Sequence, residues 1–174
     1  FLPGTLIQAL HQQAKTLQQS GDLLQARVGK GADKQVLNKL RADAIDLLDD
    51  RNTHHAESSY LAKMEQLPGG FNPHFFMGLF EFETHFAIYP PGGVYHKHLD
   101  QFKGNQERQV SAILYLNQDW EKDDGGELRL YLNGTVDDTH IDILPLGGRL
   151  VLFLSAKFLH EVLPAKRERI SLTG

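Results

Sequence analysis

The chain contains no cysteine. Disulfide scaffolds, zinc ribbons and thiol nucleophiles are therefore excluded, and nothing demands an oxidising compartment. No apolar run approaches the ~18 residues that a membrane span needs. The start of the chain is polar and Gln-rich after its first turn, unlike a secretory signal, so a cytoplasmic location is the default expectation. Excess positive charge is missing as well. Eighteen basic residues stand against 22 acidic ones, for a net charge of −4, and there is no dense basic run. That argues against a nucleic-acid surface. Internal repeats and low-complexity segments are absent. The chain begins at Phe1 and stops at Gly174 inside a strand-like run, which suggests a trimmed form of something slightly longer.

What is present is an ordinary globular composition, 41% apolar and 23% charged over 174 residues. We expect one domain, with residues 1–72 as supporting elements and 73–174 as the catalytic core. Leu6, Ile7, Leu10, Ala14 and Leu17 recur at helical spacing before Gly21, predicting an amphipathic helix over 3–20. Short strands are expected at 23–28 and 42–48, with a loop at 29–33. Residues 49–59 read as a polar, turn-rich loop, and a second helix over 58–66 is expected to stop at Pro68-Gly69-Gly70.

Beyond Phe75 the pattern changes. Aromatic and β-branched runs separated by Gly, Pro, Asn or Asp predict strands at 83–89, 94–100, 108–117, 127–132, 139–143, 149–154, 159–163 and 168–173. Eight short strands with turn signals between them read as a jelly roll. The expected fold class is mainly β with supporting helices packed on one sheet.

The chemistry is concentrated in the stretch YHKHLD, Tyr95 to Asp100. Residues i and i+2 of an extended strand share a face, so His98 and Asp100 can reach one metal ion together. His160, in the run FLHEV, supplies a third donor if the second and seventh strands lie side by side. Two imidazoles and one carboxylate form the facial triad of non-haem iron oxygenases. By the same parity His96 shares that face, and a His96/His98 pair would be the start of a cupin-type metal site. A cupin also wants a Glu soon afterwards and a Pro-x-Gly-x-x-His, and here Pro145-x-Gly147 leads to Leu150. The remaining histidines read as surface or loop residues, though His85 could face inward. In the last strand, if Ile170 and Leu172 face the packed side, then Arg169, Ser171 and Thr173 face the other. A guanidinium among small hydroxyls suits a bidentate grip on a carboxylate. A non-enzymatic jelly-roll binding module, with Trp120 as a stacking residue, is the third reading.

Four stretches taken together, YHKHLD, VSAILYLNQDW, DDGGELRLYL and LHEVLPAKRERISL, resemble the 2-oxoglutarate- and Fe(II)-dependent prolyl hydroxylases, in particular bacterial relatives of the oxygen-sensing (EGLN-type) prolyl 4-hydroxylases. The resemblance runs from about Phe80 to Gly174. It implies a double-stranded β-helix core with Fe(II) on His98, Asp100 and His160. It also implies 2-oxoglutarate held at its distal carboxylate by Arg169, with Tyr115, Tyr89 and Ser171 beside it. The co-substrates would be 2-oxoglutarate and O2, with ascorbate a candidate reductant, and the partner a protein or peptide carrying a target proline. Retention of Asp100 favours hydroxylation over halogenation, because related halogenases give up that carboxylate. Two stretches, 49–70 and 101–107, are the expected substrate-covering loops.

Overall fold

A computed structural model describes residues 2–21, 23–25, 43–48, 54–101, 108–133 and 139–174. The expected loop at 29–33, residues 26–28 of the first expected strand, residue 42 of the second, residues 49–53 of the turn-rich stretch and residues 102–107 lie outside the described residues.

Helix α1 (Gly4–Ser20) buries Ile7, Leu10 and Ala14 along one stripe. Gly21 ends it in the left-handed region at φ 80°, with its N–H on the carbonyl of Leu17. Two short strands follow, β1 (Leu24–Gln25) and β2 (Ala44–Leu47). Helix α2 (His55–Met64) begins earlier than its sequence suggests, because the His54 ring accepts from the Ala56 N–H and caps the first turn. The turn-rich reading of 49–59 therefore fails from His54 onward.

Pro68-Gly69-Gly70 does not act as a stop either. Helix α3 (Leu67–Phe75) runs through all three residues, with Pro68 in its first turn, where a missing N–H costs nothing. The Asn72 side chain closes the far end. Its amide donates to the Leu79 carbonyl and its oxygen accepts from the Leu79 N–H, both at 2.7 Å. Phe75, Phe76 and Phe80 beside this turn stand exposed.

The eight expected strands all form, each trimmed at one end or both: β3 (His85–Tyr89), β4 (Tyr95–His98), β5 (Val110–Tyr115), β6 (Leu128–Tyr131), β7 (His140–Ile143), β8 (Leu150–Leu154), β9 (His160–Val162) and β10 (Arg169–Thr173). They make two antiparallel sheets, ordered β1-β2-β3-β10-β5-β8 and β4-β9-β6-β7. The mainly β, double-sheet fold class expected from the sequence is the one observed.

Strand parity sorts the larger sheet into two faces. Phe86 and Ile88 of β3, Ala112 and Leu114 of β5, and Ile170 and Leu172 of β10 pack with Ile7, Leu10 and Ala14 of α1 and with Ala56, Tyr60 and Met64 of α2. The opposite face carries Ala87 and Tyr89, Ile113 and Tyr115, and meets Val162, Leu128 and Leu130 of the smaller sheet. Each large aliphatic side chain buried on the helix face contributes about 1.5–3 kcal/mol. That face fixes the sheet, and so fixes what the other face presents.

Asn117, just beyond β5, is buried and bonded both ways. Its oxygen accepts from the Ile170 N–H and its amide donates to the Pro145 carbonyl, each at 2.7 Å. Asn117→Ala strands two buried main-chain groups and should cost about 2–3 kcal/mol in urea unfolding. By contrast, the buried Tyr60 hydroxyl has no well-formed hydrogen bond among the described residues; the Thr84 hydroxyl beside it points to the Thr173 carbonyl and is at most a weak partner. Tyr60→Phe should therefore leave the unfolding midpoint unchanged or raise it.

Candidate metal centre

The fold brings β4 against β9 with His98 directly opposite His160. Along the pair, the register shifts between Tyr95 and His98. This bulge breaks the simple alternation that placed His96 on the same face as His98. His96 is turned to solvent, and only its carbonyl takes part, accepting from His98 Nδ1 at 2.7 Å. The His96/His98 ligand pair of the cupin reading is thereby overturned. Asp100 also departs from the expected geometry, for the strand ends at His98 and the aspartate sits in the bend that follows.

Despite that bend, the three side chains converge. His98 Nε2 lies 3.5 Å from Asp100 Oδ1, and His160 Nε2 lies 3.5 Å from Asp100 Oδ2. One ligand atom from each residue falls within 4.8 Å of the other two. Donors bound to one ion at right angles would sit about 3 Å apart, so a small contraction seats a metal.

The protonation pattern fits as well. Nδ1 of His98 faces the His96 carbonyl, and Nδ1 of His160 faces the Phe158 carbonyl at 3.0 Å. A carbonyl can only accept, so both Nδ1 atoms carry the proton and both Nε2 lone pairs point inward. Burial pushes the His160 imidazole down, outweighing the pull of Asp100, which keeps it in the neutral, ligating form. Burial works to raise the Asp100 carboxyl, but its contacts with His98, His160 and the Ser111 hydroxyl hold it well below the usual carboxylate range.

The His98 ring is stacked on Tyr95, with centroids 3.5 Å apart, and Phe153 of the larger sheet meets His160 edge-on at 4.8 Å. His85, the other histidine with a possible inward role, is not among the three.

Arg169 occupies the inner face of the larger sheet and is only 1% exposed. Parity places it as the sequence suggests, with Ile170 and Leu172 on the helix side. Its cross-strand partner is Tyr89, and Ser171, also buried, stands opposite Tyr115. The guanidinium carbon lies 4.9 Å from the Tyr115 ring centre and 5.2 Å from that of Tyr89. Nε donates to the Gly126 carbonyl at 2.9 Å, and one terminal nitrogen makes a long 3.4 Å bond to the Tyr115 hydroxyl. No carboxylate among the described residues forms an ion pair with it. A cation this deeply buried calls for an anion. Burial pushes the Tyr115 hydroxyl up despite Arg169 beside it, so it keeps its proton and can donate to that anion.

Two contributors escaped the sequence reading. Ser111 donates to Asp100 Oδ2 at 2.5 Å. Its signal was available: it is a lone polar residue on the site side of an apolar strand, four positions before Tyr115. Gly126 sits at φ +73°, where a Cβ would meet Ala165 Cβ at 2.9 Å, Trp120 Cζ2 at 3.2 Å and Arg169 Cδ at 3.3 Å. Trp120 is a wall here, its indole N–H bonded to the Gly125 carbonyl. A hollow of about 260 Å³ lined by His11, Lys15, Trp120 and Arg167 contains none of the triad. Its cations are already paired, Lys15 with Glu168 and Arg167 with Asp124. Of the expected covering loop at 49–70, the described part is helical, α2 and the start of α3.

Two sheets enclosing two histidines, an aspartate and a buried arginine define a class of metal-dependent oxygenase. Residues 84–174 match the 2OG-Fe(II) oxygenase superfamily, and the chain belongs to that family, whose members work with Fe(II), 2-oxoglutarate and O2. Within it, the chain is similar to prolyl hydroxylases. It is 43% identical to a Pseudomonas putida prolyl-4-hydroxylase, with a TM-score of 0.86 over 99% of this chain and 86% of that one. A prolyl hydroxylase from Trichoplax adhaerens, in complex with a peptide fragment of a hypoxia inducible factor oxygen degradation domain, is 30% identical, with a TM-score of 0.83 over 99% of this chain and 78% of that one. Egl nine homolog 1 of Rattus norvegicus is 40% identical over 90 residues, half of this chain but only 26% of that protein's length.

Gly126→Ala should push on the Arg169 stem and disturb the bond to its own carbonyl. We expect the 2-oxoglutarate concentration for half-saturation to rise about tenfold or more, with iron affinity unchanged, as read by equilibrium titration of each.

Proposed function

We propose that this protein is a dioxygenase that hydroxylates a prolyl residue of a protein or peptide, using Fe(II), 2-oxoglutarate and O2. The observation that carries this reading is the pairing of a three-donor metal cluster with a buried, anion-seeking guanidinium on the facing sheet. The likeness to two prolyl hydroxylases over nearly the whole chain supports the target, and the bound peptide in one of them supports a polypeptide substrate.

In this reading His98, Asp100 and His160 hold the metal on one face and leave the opposite face open. Bound iron supplies the O2 chemistry: 2-oxoglutarate loses CO2 and takes one oxygen atom to become succinate, and the other atom is inserted into a C–H bond of the substrate. The protein's share is placement. Arg169 grips the distal carboxylate through its two terminal nitrogens, since its Nε is already committed to Gly126. Tyr115 gives its hydroxyl proton to the same carboxylate. Tyr89 walls the guanidinium, and Ser171, with its hydroxyl 3.3 Å from that of Thr173, lines the floor between them. The retained Asp100 fills the position that a halide would need, which directs the reaction to hydroxylation. Both outer Nδ1–H groups stay bonded to main-chain carbonyls, so the imidazoles neither turn nor lose their tautomer during turnover. No helix among the described residues is long and apolar enough to cross a membrane.

The test is a panel of proline-containing peptides incubated with Fe(II), 2-oxoglutarate and ascorbate in air. We expect one added oxygen atom on proline by mass spectrometry, with succinate formed in equal amount. Asp100→Ala should fall to background while keeping its circular dichroism, and Arg169→Lys should need about tenfold more 2-oxoglutarate. Parent-like turnover in Asp100→Ala would refute the assignment. A metal-dependent reaction indifferent to both 2-oxoglutarate and Arg169 would refute the role given to Arg169.

A further inference from the structure

Asp100 differs from the two histidines in how it is held. His98 and His160 face each other in the β4–β9 ladder, so sheet hydrogen bonds fix their backbones. Asp100 lies beyond the last pair of that ladder, in a bend, next to the exposed Leu99. Within its own sheet the carboxylate has only the two imidazoles beside it, each at 3.5 Å. The restraint comes from the other sheet. Ser111 of β5 reaches Asp100 Oδ2 at 2.5 Å, and Ser155, immediately after β8, lies 2.8 Å from the Ser111 hydroxyl. Both serines are buried, at 3% and 1% exposure. Their backbones are locked together: Ser111 pairs with Phe153 across β5 and β8, and the Ser155 N–H donates to the Gln109 carbonyl at 3.0 Å.

We infer that Ser155 and Ser111 form a directed chain of two hydroxyls that positions the Asp100 carboxylate for metal binding. This rests on the reading of His98, Asp100 and His160 as a metal centre. The direction follows from proton counting. A ligating carboxylate has no proton to give, so Ser111 must donate to it. A hydroxyl has a single proton, so the remaining bond must run from Ser155 to Ser111. Both O–H dipoles then point at Oδ2. Each carboxylate oxygen lies 3.5 Å from one imidazole nitrogen, Oδ1 from His98 and Oδ2 from His160, so the serine bond on Oδ2 is what distinguishes them and assigns Oδ1 to the ion. Holding the distal oxygen in this way keeps the carboxylate to one metal bond and preserves the open face. Ser111 and Ser155 are positioning residues, and Ser155 acts only through Ser111.

The test is anaerobic Mn(II) titration of the full chain and of Ser111→Ala, Ser155→Ala and the double variant, with Asp100→Ala as the non-binding control. Loss of such an outer partner weakens metal binding about 10- to 100-fold, which we expect for Ser111→Ala, with a smaller loss of a few-fold for Ser155→Ala. The double variant should match Ser111→Ala, because a chain cut at its nearer link gains nothing from a second cut. At saturating Co(II), the visible absorption band of Ser111→Ala should also differ from the parent, since the carboxylate can now turn. Parent-like affinity in Ser111→Ala overturns the inference, as do additive losses in the double variant or an unchanged Co(II) band. A parent chain that binds no Mn(II) at all overturns the metal-centre reading itself.

Discussion

A guanidinium at 1% exposure is the costliest group in this fold, and much of the architecture is arranged to keep it there. An unpaired buried cation is penalised by several kcal/mol after relaxation. Here one nitrogen is given to a main-chain carbonyl, and the charge lies against two tyrosine rings. Those contacts lower the penalty without cancelling the charge. What keeps Arg169 inside is its neighbours in sequence. Ile170 and Leu172 belong to the helix-side core with Phe86, Ile88, Leu114 and Leu10, and turning Arg169 outward would turn them out of it. Hydrophobic burial on one face thus holds a charge in place on the other, ready for an anionic ligand.

The smaller sheet meets the opposite problem, that of aiming neutral nitrogen lone pairs at one point. It does so with a bulge and two carbonyls. The register shift between Tyr95 and His98 sends His96 to solvent and brings His98 opposite His160. The carbonyls of His96 and Phe158 then fix both tautomers. The same local irregularity therefore rejects one histidine and orients its neighbour two positions on.

How legible this was depended on whether a feature obeyed a period. The eight strands of the core were readable because Gly, Pro, Asn and Asp interrupt each alternating run, and β10 could be split into faces residue by residue. His98, Asp100, His160 and Arg169 were picked out from spacing, parity and family resemblance. The bulge was not readable, since an extra residue in a strand leaves no compositional mark, and so His96 was placed on the wrong face. Helix α3 was missed because Pro68-Gly69-Gly70 reads as punctuation, whereas a proline in a first helical turn is tolerated. Ser155 was invisible for a different reason. It is a serine after an apolar strand like any other until β5 and β8 pair and place its hydroxyl beside that of Ser111.

The division between the sheets explains why the aspartate needs that outside support. The larger sheet presents the buried arginine and its tyrosines, and the smaller one presents both imidazoles. Asp100 is attached to the smaller sheet through a bend but bonded to the larger through Ser111. Its position therefore depends on both sheets at once. A change in their separation would act on Asp100 through Ser111 and on His160 through Phe153. Phe153, which opposes Ser111 in the ladder and touches His160 edge-on, ties the same two sheets at the same level. A hydroxyl bond and an aromatic contact, side by side on the β5–β8 pair, thus add to the apolar layer that fixes the histidine–aspartate cluster relative to Arg169.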